Sequence, residues 1–279
     1  MKKIGIVGVK GHVGSALMEL LNLKSYELLP TDKDQVDVTN RDEVRLFLQR
    51  NRPDVIINCA GITDPQVCED NPDEAYRVNA LGARNIAAEA EPVNCKVIQF
   101  STDDVFDLNK SFPYTEFDVA MPNNVYGKSK FAGERLIESL STRYVIVRSS
   151  WVYGIGRDFV NTVLDAADSG AELRVPINQI ASPTSATELA KVIKQFIDND
   201  IYGVYHAVCK GSCSRYEFAQ EVLRLTGKTA NLVPVDSDHG MRPKYSVLDN
   251  MMLRLEGLEE PKEWKTALAD YINETGGKV

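Results

Sequence analysis

The sequence predicts an α/β fold, in which a doubly wound parallel sheet of the Rossmann type is followed by a smaller C-terminal α+β domain. Short Val- and Ile-rich runs alternate with amphipathic helical patterns through the first half of the chain, as in parallel strands joined by crossover helices. After about Arg148 this rhythm changes. We therefore expect one domain over residues 1–150 and a smaller one over residues 151–279, with residues 178–205 returning to the first.

Five apolar runs in the first half predict strands that are buried on both faces, because they lack the alternation of a half-exposed strand. These runs cover residues 3–8, 26–30, 55–58, 97–101 and 144–148. Apolar residues at helical spacing predict the first two helices. The first stripe holds Val13, Ala16, Leu17, Leu20 and Leu21, and the second holds Val44, Phe47 and Leu48.

In four places a capping residue is followed three positions later by glutamate, a pattern that predicts the beginning of a helix. The pairs are Asn40 and Glu43, Asn71 and Glu74, Ser185 and Glu188, and Ser214 and Glu217. In the second half, short strands are predicted over residues 204–208 and 230–235. A last helix is predicted to begin at Pro261, with Trp264 on its apolar face and therefore in the core.

The composition excludes several classes of protein. The chain has 279 residues, with 40 acidic and 32 basic side chains and a formal net charge of −8. Nucleic acid and anionic membranes require basic patches, so neither is expected as a partner. No apolar run approaches the ~20 residues of a membrane span. The odd number of cysteines predicts free thiols and a cytoplasmic location. Cys209 and Cys213 lie near His206 but lack a fourth zinc ligand, so no metal is expected.

A glycine-rich segment follows the first predicted strand and opens the first predicted helix. Glycines let the backbone turn sharply and approach a pyrophosphate, whose charge then lies at the positive end of the helix. The spacing G-x-x-G-x-x-G in this context predicts that the first domain binds a dinucleotide. The residues expected at the phosphates are Gly8, Lys10, Gly11, His12, Val13 and Gly14.

The residues after the second strand leave the choice between NAD and NADP open. Asp32 is placed to accept hydrogen bonds from the adenosine ribose, which favours NAD. Lys10 and Lys33 are near in sequence and would bind a 2′-phosphate, which favours NADP. Alternatively, Lys33 and Asp34 belong to a solvated loop with no role at the cofactor.

Tyr126 and Lys130 begin a predicted helix, and their spacing places both side chains on one helix face. A free tyrosine has a pKa near ~10, which a neighbouring ammonium is expected to lower. Tyr126 is therefore a candidate acid or base. Ser101 and Thr102 end a central strand, where α/β sheets bind their ligands.

Four motifs occur together in one order. They are the glycine segment, Asn58-Cys59-Ala60-Gly61, Ser101-Thr102-Asp103, and Tyr126 with Lys130. This combination resembles the extended short-chain dehydrogenase/reductases. Within them the chain is similar to the dTDP-4-dehydrorhamnose reductase family in residues 52–58, 101–107, 124–127, 150–154, 183–184 and 242–243. The resemblance runs from Lys3 to about Ile272.

The resemblance implies an NAD(P)H-dependent reduction of the C4 ketone of a nucleotide-activated 4-keto-6-deoxysugar, with NADP as cofactor and NAD as the alternative. It implies Thr102, Tyr126 and Lys130 as the catalytic set, with Tyr126 giving the proton. The further cofactor-binding residues that it implies are Asp37, Val38, Cys59, Ala60, Gly61, Asn79 and Ser101, together with Tyr126 and Lys130. For the sugar nucleotide it implies Thr102, Asp103, Asp104, Val105, Tyr126, Trp151 and Arg242.

Three positions depart from the family pattern, all of them where that family contacts its substrate. Asp104 stands where the family usually has tyrosine, and Pro65-Gln66 stands where it usually has Val-Asp. The segment 236–241, before Arg242, is several residues short. Reductase chemistry is therefore better supported than the identity of the sugar.

Two other functions stay open. An epimerase or dehydratase of the same fold uses the same Tyr/Lys pair, and the acids Asp103 and Asp104 beside Thr102 are compatible with a dehydratase. A non-catalytic nucleotide-binding regulator, similar to the regulatory subunit of methionine adenosyltransferase, is the other; the intact pair Tyr126 and Lys130 argues against it. A monomer and a homodimer are both compatible with the sequence.

The implied ligands are anions, whereas the chain is acidic. The acid excess is therefore expected to lie away from the ligand crevice. The groups expected to make the crevice locally positive are Lys10, Lys128, Lys130, Arg242 and Lys244, with the helix N-terminus at Gly11.

Overall fold

The structure is a computed structural model that describes residues 1–21, 25–106, 110–237 and 242–275. Within these ranges the strands, in chain order, are β1 (Lys2–Val7), β2 (Tyr26–Thr31), β3 (Val55–Asn58), β4 (Lys96–Thr102), β5 (Tyr144–Ser149), β6 (Val152–Tyr153), β7 (Glu172–Pro176), β8 (Ile180–Ala181), β9 (Thr184–Ser185), β10 (Gly203–His206), β11 (Cys213–Ser214) and β12 (Asn231–Val235).

The α-helices in the same ranges are α1 (His12–Leu21), α2 (Arg41–Asn51), α3 (Pro65–Asp70), α4 (Pro72–Tyr76), α5 (Ala83–Ala90), α6 (Val125–Leu140), α7 (Phe159–Ser169), α8 (Ala186–Asp198), α9 (Arg215–Thr226), α10 (Met251–Leu255) and α11 (Trp264–Glu274). A π-helical turn over Arg77–Gly82 joins α4 to α5, and 3₁₀ turns cover Glu91–Val93 and Asp103–Val105.

A parallel sheet of six strands forms the centre, in the order β10-β5-β4-β3-β1-β2. The order reverses between β1 and β3, which is the arrangement of a doubly wound sheet. The predicted α/β class and the five predicted parallel strands are confirmed. The sequence did not predict that β10 would extend this sheet as a sixth strand beside β5.

Apolar side chains cover both faces of the sheet, as the continuous Val and Ile runs predict. On one face, Ile4 and Val145 pack with Leu17 of α1 and Phe196 of α8. On the other face, Ile56 packs with residues of α2 and α5. Helix α8, which lies within residues 178–205, packs on the sheet, whereas β8 of the same segment pairs with β11.

A smaller layer covers the carboxyl end of the sheet. The parallel pair β7–β12 packs with α7, α9 and α11 around a second core that includes Phe218 and Trp264. Trp264 is buried, as predicted. Cys209 and Cys213 are free thiols in this core. Among the described residues, no group of three or more His, Cys, Asp or Glu side chains is arranged to hold a metal.

The helix-start predictions had mixed outcomes. Ser214 and Glu217 form the predicted reciprocal capping box. Asn40 caps α2, but Glu43 accepts from the backbone N–H of Asp37 and from the side-chain amide of Asn40, and not from the backbone N–H of Asn40. The capping bonds predicted for Asn71 and Ser185 were wrong, since neither side chain makes one. The last helix begins at Trp264, three residues after Pro261, because residues before it pair with Lys210 instead.

Candidate active site

A cavity of about 660 Å³ opens at the carboxyl ends of β1, β3, β4 and β5, between the sheet and the C-terminal layer. Parallel sheets bind ligands at this edge, where the strand order reverses. The residues proposed from the sequence that line the cavity are Lys10, Gly11, His12, Val13, Gly14, Cys59, Gly61, Ser101, Thr102, Asp103, Tyr126, Lys130, Trp151 and Arg242.

The other proposed residues lie outside this lining. Val105 is fully buried against Phe106, and Asp104 is buried beneath Arg242. Asn79 supports the wall through bonds to Ile62 and Ser129. The proposed residues outside the lining are Gly8, Asp32, Asp37, Val38, Ala60, Asn79, Asp104 and Val105, together with Lys128 and Lys244 from the expected positive set. Part of the short segment before Arg242, residues 238–241, lies outside the described residues.

The glycine loop needs glycine for two different reasons. Gly8 has a φ of +81°, and a Cβ there would lie 2.8 Å from the backbone N of Ala60. A Cβ on Gly14 would lie 2.4 Å from the carbonyl oxygen of Gly8. On Gly11 the nearest atom would be that same oxygen at 3.6 Å, so Gly11 has open space in front of it. The loop is therefore tightly packed at Gly8 and Gly14, whereas its backbone at Gly11 stays accessible from the cavity.

Replacing Gly14 by alanine is expected to lower the free energy of unfolding by about 1–3 kcal/mol, because the added Cβ overlaps backbone atoms that are fixed by β1. Urea unfolding without cofactor measures this effect. Gly11→Ala is the matched control, since its Cβ meets only an ordinary contact, and its stability should stay within about 0.5 kcal/mol of the wild type. Equal losses in both variants would contradict the packing role assigned to Gly14.

Charged residues stand at the outer end of the loop. The ammonium of Lys10 lies 3.0 Å from Asp32 and 3.2 Å from Asp34. The hydrogen bond between Lys10 and Asp32 raises the pKa of Lys10 and lowers that of Asp32, so both stay ionised at neutral pH. Adjacent side chains are therefore available for two groups of a ligand: Lys10 for a phosphate and Asp32 for a hydroxyl.

Thr102, Tyr126 and Lys130 line the same cavity. Thr102 ends β4, and Tyr126 and Lys130 lie one turn apart near the start of α6, which Asn124 caps through the N–H of Gly127. Only 7% of Tyr126 and 6% of Lys130 is exposed. The helix therefore presents a phenol and an ammonium to a strand-end hydroxyl in a space from which most water is excluded.

The expected lowering of the tyrosine pKa was wrong for the protein without ligands. Burial, followed by the charge of Asp104, raises the pKa of Tyr126 above its ordinary value, and Arg242 and the hydroxyl of Thr102 offset only part of this. Burial lowers the pKa of Lys130 to about 8. Burial of both groups, which the spacing of Tyr126 and Lys130 does not reveal, outweighs the effect expected from the ammonium. Tyr126 is consequently protonated at neutral pH, which suits a proton donor.

Two adjacent acids lie below Tyr126. Burial and the neighbouring Asp104 raise the pKa of Asp103 to about 6, although the hydroxyls of Ser150 and Ser246 donate to it at 2.7 and 2.5 Å. Asp104 is 1% exposed and pairs with Arg242 at 3.2 Å. Arg242 lies 5.7 Å from the ring of Tyr126. The expectation that Arg242 lies at the crevice is met, but its charge is balanced by Asp104.

A buried network that was not predicted from the sequence lies behind the cavity. Ser101, which lines the cavity, donates its hydroxyl to Glu134, and Arg148 pairs with the same carboxylate at 2.6 Å. Glu134 lies one turn after Lys130 on α6, so the network fixes this helix to β4 and β5. The spacing of Tyr126, Lys130 and Glu134 at i, i+4 and i+8 is a signal that was present in the sequence.

Arg215 was missed as well. It lines the cavity at the first position of α9, with its guanidinium carbon 3.6 Å from the ring centroid of Trp151. A cation at a helix N-terminus opposes the helix dipole, where acidic residues are favoured. That conflict was readable from the sequence, because Arg215 directly follows the predicted cap at Ser214.

A protein-family profile described as the RmlD substrate binding domain matches residues 1–276. The chain belongs to this family. The resemblance to extended short-chain dehydrogenase/reductases of the dTDP-4-dehydrorhamnose reductase type is thereby confirmed. Among curated relatives, the spore coat polysaccharide biosynthesis protein SpsK of Bacillus subtilis is 35% identical and covers 98% of each chain. A dTDP-4-dehydrorhamnose reductase of Mycolicibacterium smegmatis is 34% identical over 97% of this chain and 85% of that protein.

Solved structures agree with this assignment. A dTDP-4-dehydrorhamnose reductase from Clostridium acetobutylicum shares 41% identity and a TM-score of 0.95, covering 98% of this chain and 99% of that one. One from Bacillus anthracis, solved in complex with NADP, shares 38% identity and a TM-score of 0.96, covering 99% and 100%. A UDP-glucose 4-epimerase from Thermus thermophilus is 17% identical with a TM-score of 0.88, which shows the common fold alone. Within the described ranges, no helix is long and apolar enough to cross a membrane.

Proposed function

We propose that this protein reduces the C4 ketone of a nucleotide-activated 4-keto-6-deoxysugar with NADPH, as a dTDP-4-dehydrorhamnose reductase does. The observation that carries the proposal is the convergence of Thr102, Tyr126 and Lys130 in a cavity that begins at the glycine loop. Membership of the family over residues 1–276, and relatives named for this reaction, support the same conclusion.

The residues at the loop end of the cavity fit a dinucleotide. Gly11 leaves room for close backbone approach, and the N-terminus of α1 begins directly behind it at His12. Lys10 and Asp32 lie at the adenosine end of such a ligand, and Lys130 lies at the nicotinamide end. We assign NADP to this site, with NAD as the alternative. When bound, the reduced cofactor supplies the hydride for the ketone carbon.

The protein's own residues supply position and a proton. Tyr126, protonated at neutral pH, donates its phenolic proton to the ketone oxygen as negative charge develops there. The hydroxyl of Thr102 donates to Asp103 at 3.2 Å in the structure. When it turns toward the substrate, it donates a second hydrogen bond to the same ketone oxygen and orients it. The charge of Lys130 stabilises the phenolate that Tyr126 becomes after the transfer. Burial of Tyr126 and Lys130 strengthens these interactions, because little water screens them.

The structural role of Asp104 disfavours the dehydratase alternative. An additional acid for such chemistry has to face the substrate, whereas Asp104 is buried and engaged by Arg242 and Asn124. Asp103 reaches the cavity, but Ser150 and Ser246 hold its carboxylate. We also propose that the reductase acts in the cytoplasm, as a monomer or homodimer, without nucleic acid or membrane partners.

The test is to incubate the purified protein with NADPH or NADH and a panel of nucleotide-linked 4-keto-6-deoxysugars. We expect one equivalent of reduced cofactor to be lost per equivalent of sugar converted. Sugar conversion without net loss of cofactor would identify an epimerase or dehydratase. Cofactor binding without turnover of any sugar would identify a regulator.

The pKa of Lys130 predicts the alkaline limb of the pH profile. Lys130 is charged below about 8 and neutral above it, so its support for the tyrosinate is lost as the pH rises through that value. We expect kcat/KM for the sugar to fall above about pH 8, as measured by steady-state rates between pH 6 and 10. In Lys130→Met this inflection should be absent. A wild-type profile that stays flat to pH 10 would contradict the assignment.

A further inference from the structure

Arg215 is a cavity-lining cation that the proposed reaction does not use. Its guanidinium stacks 3.6 Å from the ring centroid of Trp151 and lies 4.9 Å from that of Phe159. The two rings hold the planar group by its faces. Its N–H donors lie in the plane of the guanidinium, so they stay directed away from the rings.

No carboxylate pairs with Arg215 within the described residues, and its side chain donates no hydrogen bond there. Burial and the nearby charge of Arg242 lower the pKa of Arg215, and the charges of Asp103 and Asp104 offset only part of this. A half-buried guanidinium with unused donors costs free energy in the unliganded protein. A ligand that brings negative charge removes this cost.

Among the other cations that line the cavity, Lys130 belongs to the proposed reaction, and the remaining lysine and arginines have carboxylate partners. Arg242 pairs with Asp104 at 3.2 Å, and Lys10 pairs with Asp32 at 3.0 Å. Arg157 faces Asp165 at 3.6 Å with most of its side chain in solvent. Within the described ranges, Arg215 is therefore the cavity arginine that has no carboxylate partner.

Arg215 and the glycine loop line the same cavity from different elements of the fold. Arg215 begins α9 in the C-terminal layer, where its own N–H donates to Gln179 and the preceding residue pairs with β8. The glycine loop belongs to β1 and α1 in the sheet layer. Trp151 lies between β5 and β6 and has a φ of +42°, which is rare for a large residue. Its indole ring contacts the guanidinium of Arg215.

We propose that Arg215 binds the diphosphate of the nucleotide-sugar substrate, with Trp151 and Phe159 holding its guanidinium in position. This inference rests on the proposed function, because it takes the sugar nucleotide as the ligand of the C-terminal layer. Arginine suits a diphosphate, since its fork of donors reaches two phosphate oxygens at once. The arrangement gives the substrate's anionic group a site distinct from that of the cofactor phosphates.

The experiment titrates thymidine diphosphate, uridine diphosphate and thymidine into the protein at saturating NADP, by calorimetry. For Arg215→Gln we expect the Kd of the nucleoside diphosphates to rise about 10- to 100-fold, with weaker dependence on salt. The affinity for NADP should stay unchanged, which also shows that the variant is folded. Arg215→Lys should restore part of the affinity, because it keeps the charge and loses the fork. Thymidine binding should be the same in all variants.

Arg224→Gln is the matched control. Arg224 lies in the last turn of the same helix, is largely exposed and pairs with Glu221, so the same charge is removed far from the cavity. Its nucleoside diphosphate affinity should equal that of the wild type. An Arg215→Gln variant with unchanged diphosphate affinity would overturn the proposal. So would a parallel loss of NADP and diphosphate affinity, which would indicate a structural role.

Failure of the reductase function would look different. If diphosphate binding depends on Arg215 but no keto sugar is reduced, the site assignment stands and the reaction has to be replaced. If keto sugars are reduced and Arg215→Gln changes neither KM nor diphosphate affinity, the reaction stands and the role of Arg215 is wrong.

Discussion

Replacing Tyr126 by phenylalanine is expected to lower kcat by about 10²- to 10⁴-fold, the range that a positioned proton donor contributes. The substitution removes one hydroxyl from a nearly buried ring and leaves the contacts of the ring in place. NADPH affinity should therefore change little. The measurement combines the steady-state loss of NADPH absorbance on the keto sugar with a fluorescence titration of NADPH.

Tyr202→Phe is the control for this variant. The hydroxyl of Tyr202 donates to Asp200 next to β10, away from the residues that line the cavity. Its kcat should equal that of the wild type. If Tyr126→Phe keeps kcat within threefold of the wild type, another group supplies the proton and the assignment of Tyr126 has to be abandoned.

The sheet was predictable because its signal is local. Strands buried on both faces need continuous apolar runs, and the five runs of the first half became β1 to β5 in parallel order. The expected burial was wrong for β2, which is only half-buried because it lies at the edge of the sheet. The glycine loop was predictable for the same reason, since the φ of Gly8 and the close approach at Gly14 are properties of a few neighbouring residues. Local features of this kind can be predicted from residue types at fixed spacing in the sequence.

Interactions between distant segments were not predictable. The run over residues 204–208 has the pattern of any short strand, and nothing local says that Gly203–His206 pairs with β5. The direction of the Tyr126 pKa shift depends on burial and on Asp104, which comes from another element. Likewise, the sequence predicts an unpaired cation at Arg242, whereas in the structure Arg242 pairs with Asp104. Each error therefore concerns the surroundings of a side chain rather than its chemical type.

Replacing Glu134 by glutamine is expected to lower the free energy of unfolding by about 3–5 kcal/mol. Only 6% of the Arg148 side chain and 1% of the Glu134 side chain is exposed, so the variant leaves a buried guanidinium without its counter-charge. Arg148 also lies 5.2 Å from the ring of Phe106, which prevents it from moving easily to solvent. The expected fall in Tm is roughly 10 °C, measured by calorimetry without cofactor.

The same helix supplies a matched control. Arg135 pairs with Glu138 at 2.5 Å, but 68% of the Arg135 side chain is exposed. Glu138→Gln makes the same chemical change in a screened pair, so its cost should stay below about 1 kcal/mol. Equal losses for Glu134→Gln and Glu138→Gln would contradict the view that burial decides the effect.

The double variant Glu134→Gln, Arg148→Met separates the value of the pair from the cost of an unpaired charge. The double variant no longer buries the Arg148 guanidinium without a counter-charge, so it should be more stable than Glu134→Gln alone. Ser101 bonds to Glu134 and lines the cavity, whereas Lys130 lies one turn before Glu134 on α6. Activity in the double variant should therefore fall through kcat rather than KM, because Lys130 and Tyr126 lose the anchor that positions their helix against β4 and β5. If a stable double variant keeps the kcat of the wild type, the Glu134–Arg148 pair contributes to stability and does not position the catalytic residues.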